Sequence, residues 1–438
     1  MARSPDTGRV TPVTDREELI YLLTEASELE HGLCCCYLFA SFSLKQNADE
    51  GLTETEHEAV TRWRKVIGGV AVQEMLHLAL ASNLLTAIGA SPHFRRPNFP
   101  QRSKYYPPSL QMTLRPFDER TLDHFIFIER PEGMEFPDGA GFDATTAPQA
   151  AGSPANGIEP YELAYSTVGE LYRDIEEGLK ALSSRLGEKQ LFIGPPRAQA
   201  TSSYLPFPGL TPVTDLASAM HAIELIVEQG EGLRGDIENS HYARFLAIRG
   251  ELDRLRAGRA DFEPARAVME NPFTDPPADS TGINLIDHPD TRAVSDLFNA
   301  SYGVMLELLM RFFTHTEESH DELTTLVRAA LGLMEGVIKP LGSALTALPA
   351  TNQGDVPRAG PSFAVGRSIN YLPHRDAAWA LFEERLSELA GFSQTLAAAD
   401  QRALGIDRVH MTIQALAASL ARHARAPRSP SATSSSGT

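Results

Sequence analysis

The sequence predicts a mainly α-helical protein built around a four-helix bundle. Two segments near the N-terminus, 16–45 and 56–88, place apolar or small residues at helical spacing over roughly 30 residues each. A short polar turn separates them, so they should form an antiparallel pair of long helices. Later segments with the same spacing are expected to complete the bundle.

Capping residues support the bounds of the first two helices. Thr14 and Asp15 can cap a helix that begins at Arg16, because their side chains accept hydrogen bonds from the first free backbone amides. The second helix is expected to run from Glu56 to Ile88 and to end at Gly89, a residue suited to helix termination.

The pattern changes after the second helix. Between 91 and 160 proline and glycine are frequent, and the runs LQMTL and HFIFIER are typical of short strands or extended segments. Residues 131–160 are rich in glycine, proline and alanine, which predicts a loop that is either flexible or a lid.

The remaining helices are predicted from the same apolar spacing. They are expected over 165–186, 215–230, 237–256, 291–315, 322–347 and 376–399. The predicted organisation is a flexible N-terminus (1–14), a bundle (15–260) with a long insertion between its second and third ligand helices (91–214), a C-terminal helical extension packed on the bundle (261–400), and a disordered tail (425–438).

Composition narrows the classes of partner. The net charge of −18 argues against nucleic acid or an anionic membrane surface as a partner. A protein with this charge attracts cations. Three adjacent cysteines, Cys34, Cys35 and Cys36, do not form a disulfide framework, and no apolar run is long enough to span a membrane. We therefore expect a cytoplasmic protein with no nucleic-acid or membrane partner, and a homo-oligomer stays open.

Glu-x-x-His is the motif that carries chemistry in helical bundles. Its i, i+3 spacing places a carboxylate and an imidazole on one helical face, and ferritin-like di-metal bundles combine two such pairs with two further glutamates. Five matches occur, at Glu28–His31, Glu54–His57, Glu74–His77, Glu238–His241 and Glu317–His320.

Context separates these matches. Glu54–His57 and Glu317–His320 lie in polar turns, where a solvated surface is the simpler interpretation. Glu74 and His77 lie on an apolar stripe, where two polar side chains are costly unless they are paired or bind a ligand. We interpret that pair as metal ligands.

On the first helix Glu30, rather than Glu28 or His31, lies on the apolar face. It is a candidate ligand, and the alternative is a buried glutamate bonded to a tyrosine or an arginine. Cys34 lies one turn beyond Glu30 and is interpreted as a small buried residue.

The second half of the site is expected near the turn that contains Gly230, Gly232 and Gly235. Glu231 continues the apolar stripe of the preceding helix, Glu228 lies one turn before it, and His241 lies one turn into the next helix. Whether Glu228, Glu231 or both bind metal, and whether Glu238 joins them, is open. A solvated charged turn is the alternative.

Five blocks in order carry a family resemblance. They are ELEHGLCCCYLFASFSL, VAVQEMLHLALASNLLTAIG, IVEQGEG, SHYARFLAI and IKPLGSALTALP with the later AGPSF. Together they resemble the ferritin-like iminophenylpyruvate dimer synthase family, a domain of bis-indole pigment biosynthesis enzymes and of stand-alone ferritin-like proteins. The similarity covers most of residues 15–370. It implies a metal set of Glu30, Glu74, His77, Glu228, Glu231 and His241.

The expected function is a non-haem di-iron oxidase or oxygenase of specialised metabolism. It would use O2, two metal ions (iron, with manganese as an alternative) and a small amino-acid-derived substrate. The substrate pocket is expected between the bundle and the insertion, with Tyr37, Tyr165 and Tyr172 as candidates for its lining. A ferroxidase or peroxide-disproportionating protein is one alternative, and a non-enzymatic helical binding protein is another.

Overall fold

The computed structural model describes residues 13–101, 112–142, 165, 167–232, 237–275, 283–398 and 405–424. Within these ranges the chain is mainly helical, as predicted. The helices are α1 (Arg16–Ser43), α2 (Glu54–Ala87), α3 (Glu119–Ile128), α4 (Val168–Leu186), α5 (Glu188–Leu191), α6 (Leu216–Gly230), α7 (His241–Gly258), α8 (Pro289–Phe313), α9 (His320–Leu333), α10 (Lys339–Leu345), α11 (Arg375–Ala398) and α12 (Ile406–Ala424). Strands β1 (Pro272–Phe273) and β2 (Asn284–Leu285) pair in parallel, and β3 (Pro349–Thr351) and β4 (Gly354–Arg358) pair antiparallel.

The first two helices form where their apolar spacing predicts them. Asp15 caps α1 by accepting a hydrogen bond from the amide of Glu18 at 2.9 Å. Thr53 caps α2 by accepting from the amide of Glu56 at 3.3 Å, so α2 begins two residues earlier than expected. The two helices pack along each other and bury their apolar faces. They form one half of the bundle.

The other half of the bundle is built by α4 and α6. Helix α4 contacts α1 and α6, while α6 and α7 both contact α2. The predicted helix 237–256 is interrupted at its start, because residues Ile237–Asn239 form a 3-10 turn and Ser240 then caps α7. His241 is therefore the first residue of α7, which places it at the end of the bundle nearest the α6–α7 turn.

The insertion contains a helix that we expected to be extended. The run HFIFI lies in α3, whose N-cap Asp118 accepts from the amide of Thr121 at 2.7 Å. Leu122 and Phe125 bury one face of this helix, which packs against α7. A run of five apolar residues fits a strand or a helix, and here the cap and the packing select the helix.

The C-terminal helices also depart from the prediction. The expected helix 322–347 is divided into α9 and α10 by a π-helical turn at Met334–Ile338, after which Pro340 lies in the first turn of α10. Helix α12 was not predicted, and it packs against α11 and α9. Buried residues of the bundle and of these helices belong to one hydrophobic cluster.

Several predictions fall outside the described residues. These are the flexible segment 1–12, most of the predicted loop 131–160 from residue 143 onward (Tyr165 is described), the turn residue Gly235 and the tail 425–438. Among the residues that the structure describes, no helix is both long enough and apolar enough to cross a membrane.

Candidate metal centre

Five side chains converge in the bundle, four from three helices and one from the residue that follows a fourth helix. Glu30 comes from α1, Glu74 and His77 from α2, and His241 from the first turn of α7, whereas Glu129 follows directly after α3. They form two groups, Glu30–Glu74–His77 and Glu74–Glu129–His241. Within each group one donor atom per residue lies within 4.8 Å of the others. Glu74 belongs to both groups, so its carboxylate lies between two potential cation positions.

The two oxygens of Glu74 face different histidines. Glu74 Oε2 lies 3.1 Å from His77 Nδ1, and Glu74 Oε1 lies 3.0 Å from His241 Nδ1. Each histidine also faces a second carboxylate, His77 at 3.4 Å from Glu30 and His241 at 3.4 Å from Glu129. The two imidazole rings stack with centroids 5.5 Å apart. All five side chains are buried.

Burial and mutual charge shift the protonation of this cluster. Burial and the charge of Glu74 raise the pKa of Glu30 to about 8. Although burial opposes it, the two histidines lower the pKa of Glu74. Burial lowers the pKa of His241, but the neighbouring carboxylates outweigh it and raise the value to about 9; the pKa of His77 is raised in the same way. Protons thus balance the charge, and a divalent cation would displace them.

The donor atoms fit a bound cation. Among the described residues, Nε2 of His241 is buried without a hydrogen-bond partner, and His241 Nδ1 and Glu74 Oε1 face each other at 3.0 Å without the geometry of a hydrogen bond. Each such atom costs roughly 1–3 kcal/mol. Four of the five side chains, Glu30, Glu74, His77 and Glu129, line a cavity of about 20 Å³. A space of this size holds a water molecule or an ion. Carboxylate and imidazole donors are suited to iron, manganese or zinc.

Tyrosines and an amide hold the outer side of the cluster. Tyr172 donates to Glu30 at 2.6 Å, and Tyr37 donates to Glu129. The side-chain oxygen of Gln229 lies 3.0 Å from His77 Nε2. We interpreted Glu30 as a candidate ligand or as a buried glutamate bonded to a tyrosine or an arginine. In the structure it lies in the donor cluster and is also bonded to a tyrosine. Tyr37 and Tyr172 contact carboxylates of the cluster.

Tyr165, the third tyrosine expected to line a pocket, lies elsewhere. Its hydroxyl donates to Glu25 at 2.6 Å. Burial raises the pKa of Glu25 to about 8. Tyr165 and Glu25 are not among the side chains that line the cavity.

The glutamates of EQGEG lie at different depths. Glu231 is buried and lines the cavity, and its carboxylate accepts from the amides of Gly169 at 2.7 Å and Glu132 at 3.2 Å. It belongs to neither donor group of the described residues. Glu228 is half-buried and does not line the cavity, and Glu238 is exposed. The structure thus brings Glu231 to the cavity wall and leaves Glu228 and Glu238 outside.

The other Glu-x-x-His histidines have partners away from the cluster. His57 contacts the carbonyl of Gln46 at 2.9 Å, and His320 contacts the hydroxyl of Tyr204 at 2.9 Å. His31 is buried against Tyr302. None of the three belongs to a donor group among the described residues.

Sequence reasoning missed Glu129 and Gln229. A helical interpretation of HFIFIER would have placed Glu129 on the stripe of Leu122 and Phe125, seven and four residues earlier. Gln229 carries no comparable signal, because a neutral amide is not a preferred metal ligand. Its role depends on which face α6 turns toward His77.

Comparisons with known proteins agree with this architecture. A family model described as Ferritin-like matches residues 23–250. The chain is 29% identical to dichlorochromopyrrolate synthase of Lentzea aerocolonigenes over 420 residues, which cover 88% of this chain and 40% of that protein. It is 25% identical to 2-imino-3-(indol-3-yl)propanoate dimerase of Chromobacterium violaceum over 380 residues, covering 82% of this chain and 35% of that protein.

The matching region is thus two fifths or less of each of these relatives. A solved ferritin-like protein from Caulobacter vibrioides aligns with 76% of this chain at 21% identity and a TM-score of 0.47, and the alignment covers 96% of that structure. The resemblance expected from the five sequence blocks is confirmed by the family match and the two relatives.

Proposed function

The chain belongs to the Ferritin-like family, and we propose that it is an oxidative enzyme with a two-metal centre. The proposed ligands are Glu30, Glu74, His77, Glu129 and His241. The observation that carries the proposal is Glu74, whose two carboxylate oxygens each face a different histidine. One residue shared by two donor groups is what a pair of ions held side by side requires.

We propose iron as the metal, with manganese as the alternative. Two redox-active ions supply the ability to reduce O2 while an organic molecule is oxidised. Around them, the apolar side chains of Leu33, Val168 and Ile226 line the cavity and exclude water. Tyr37 and Tyr172 hold the outer carboxylates in place through hydrogen bonds.

The similar proteins support an amino-acid-derived substrate. One of them is named for a 2-imino-3-(indol-3-yl)propanoate, an imine that carries a carboxylate and an aromatic side chain. We propose a substrate of that chemical class for this chain. The synthase and dimerase activities in the names of the relatives belong to proteins more than twice as long as the aligned region, so we assign only an oxidation here.

One wall of the cavity is the proposed place of substrate approach. Val168 and Gly169 at the start of α4 line the cavity together with Val227, Gly230 and Glu231, and the amide of Gly169 donates to Glu231 at 2.7 Å. The cavity itself, at about 20 Å³, is too small for an indole or phenyl ring. For an organic substrate to be oxidised, the residues of this wall must therefore move apart, or the substrate must bind on the outer side of the wall.

The same volume favours a second candidate, a ferroxidase or a peroxide-disproportionating protein. Such an activity needs space for ions, O2 or peroxide only, and a cavity of about 20 Å³ is of that order. A third candidate, a helical binding protein without metal, leaves the unpaired atoms of Glu74 and His241 unexplained.

One experiment separates the three candidates. Metal-free protein is loaded anaerobically with Fe(II), its iron content is measured, and O2 is added with and without 2-imino acids generated in the assay. We expect two irons per chain and an O2 uptake that forms an oxidised organic product. Iron oxidation with no product in any substrate trial supports the ferroxidase. Absence of bound iron and manganese overturns both metal-based functions.

A further inference from the structure

The two histidines of the proposed metal centre are held differently. Nδ1 of His77 faces Glu74 and Glu30, while its Nε2 contacts the side-chain oxygen of Gln229 at 3.0 Å. His241 is fully buried; its Nδ1 faces Glu74 and Glu129, and its Nε2 has no hydrogen-bond partner among the residues that the structure describes. The ring of His77 is therefore oriented by a contact on the side away from the carboxylates, whereas the ring of His241 is not.

The carboxylates of the two donor groups do not show this difference. Glu30 accepts a hydrogen bond from Tyr172, and Glu129 accepts one from Tyr37. Glu74 is common to both groups. The two potential cation positions therefore differ in the partner of the histidine Nε2: that of His77 contacts Gln229, and that of His241 has no partner among the described residues.

A hydrogen-bond acceptor that contacts one ring nitrogen of a histidine determines which of the two nitrogens can bind a cation. A neutral imidazole carries one N–H and one free lone pair, and the partner of the N–H fixes both the tautomer and the ring orientation. The oxygen of Gln229 can only accept, so it retains the proton on Nε2 of His77. The lone pair of Nδ1 is then directed toward Glu74 and Glu30.

Local structure brings Gln229 to this place. It lies in the last turn of α6, which ends at Gly230. A side chain at position 230 would lie 3.3 Å from the carboxylate of Glu129, so the helix approaches the cluster closely there. Gln229 is half-buried against His77, and its neighbours Val227 and Glu231 line the cavity.

We infer that Gln229 is a positioning residue that fixes His77 for ligation through Nδ1. As a result, the cation position of Glu30, Glu74 and His77 binds more tightly than that of Glu74, Glu129 and His241. The inference rests on the proposed two-metal function and adds to it an order of loading. Outer hydrogen bonds of this kind typically change metal affinity 10- to 100-fold.

The test is a Co(II) titration of the metal-free full-length protein, followed by its optical spectrum. We expect two steps of unequal affinity in the wild type. Gln229→Met removes the acceptor at similar volume and should weaken the tighter step about 10- to 100-fold, while the weaker step changes little. Gln229→Glu keeps an acceptor and should restore the tight step. Glu228→Leu, a neighbouring change outside the cavity lining, is the matched control.

A second measurement does not depend on any variant folding. Long-range ¹H–¹⁵N spectra of the Zn(II)-loaded wild type report the tautomer of each histidine ring, and we expect His77 with its proton on Nε2. A proton on Nδ1, two equal affinities, or a tight step that Gln229→Met leaves unchanged overturns the inference while the two-metal function stands. A wild type that binds no divalent cation overturns both.

Discussion

Two buried clusters of charged side chains in this protein are satisfied in opposite ways. In the C-terminal extension the side chains of Arg311 and Glu318 are both shielded from solvent, and two hydrogen bonds of 2.6 and 2.9 Å join them. Arg311 also donates to the carbonyls of Leu372 and Pro373. In the bundle, Glu74 and His241 are buried and retain atoms with no hydrogen-bond partner among the described residues.

The pKa directions show the same contrast. Despite burial, the hydrogen bonds and charge of Arg311 lower the pKa of Glu318, whereas burial and Glu74 raise that of Glu30 to about 8. A buried charge with complete partners connects parts of a fold. A buried group with incomplete partners is prepared for a ligand.

Glu74→Ala should abolish metal binding, because Glu74 belongs to both donor groups, and His77→Ala should lose the ion of the one group that His77 completes. Elemental analysis after Fe(II) or Zn(II) loading measures this. His57→Ala and His320→Ala should bind as the wild type does, since these residues lie outside both groups. A loss of metal in His57→Ala equal to that in His77→Ala would contradict our separation of the Glu-x-x-His matches.

Arg311→Met should destabilise the metal-free protein by about 3–5 kcal/mol, because Glu318 is left as a buried carboxylate without its cation. Urea unfolding followed by circular dichroism gives the free energy of unfolding. The folded fraction should still bind two metal ions per chain. If the variant were as stable as the wild type, the proposed difference between the two clusters would be lost.

Glu129→Ala should remove one ion of the two. Glu129 belongs only to the group that contains His241, so the position of Glu30 and His77 keeps its ligands. The expected readout is a fall in stoichiometry from two ions to one in the same titration, with the wild type as reference. A variant that still binds two ions with unchanged affinity would place Glu129 outside the metal centre.

Metal occupancy should rise with pH. The pKa of Glu30 is raised to about 8 and that of His241 to about 9, so both groups hold protons at neutral pH. They must lose them to bind a cation, and acid therefore competes with the metal. Occupancy at limiting Zn(II) should fall as the pH falls from about 9, and Zn(II) addition should release protons in weakly buffered solution. Occupancy that is constant down to about pH 4 would exclude ligation by the histidines.

Tyr172→Phe should have the smallest effect. It removes only the hydroxyl that donates to Glu30 at 2.6 Å, and the carboxylate itself remains. We expect about a tenfold loss of affinity at the tighter position, measured by the same Co(II) titration, and no loss of stoichiometry. Tyr165→Phe, which affects Glu25 outside the cavity lining, is the matched control.

The first half of the candidate site could be predicted from the sequence. Glu30, Glu74 and His77 interrupt long apolar stripes, and such interruptions are visible in α1 and α2 because each helix repeats its pattern over many turns. His241 was identified from a different signal, its place in a Glu-x-x-His match one turn into the helix after the glycine-rich turn, and the helix break at Ser240 was not foreseen.

The second half depended on tertiary structure. Helix α3 is only 10 residues long, and its apolar run does not distinguish strand from helix, so Glu129 was missed. Glu228 fitted the one-turn spacing to Glu231, but the observed packing of α6 turns Gln229 toward His77 instead. The spacing of Ile406, Val409 and Ile413 is typical of a helix, so α12 could have been predicted from the sequence.

The close approach of Gly169 to Glu231 has a consequence for how this protein can vary. A Cβ at position 169 would lie 2.4 Å from an oxygen of Glu231, which is closer than the two atoms can stand. A mutation that adds a side chain at 169 therefore requires the carboxylate of Glu231 to move away from the Gly169 amide, which donates to it at 2.7 Å. A shorter side chain at position 231 removes this conflict, so we expect a change at 231 to widen the choice of residue at 169 and the two positions to vary together.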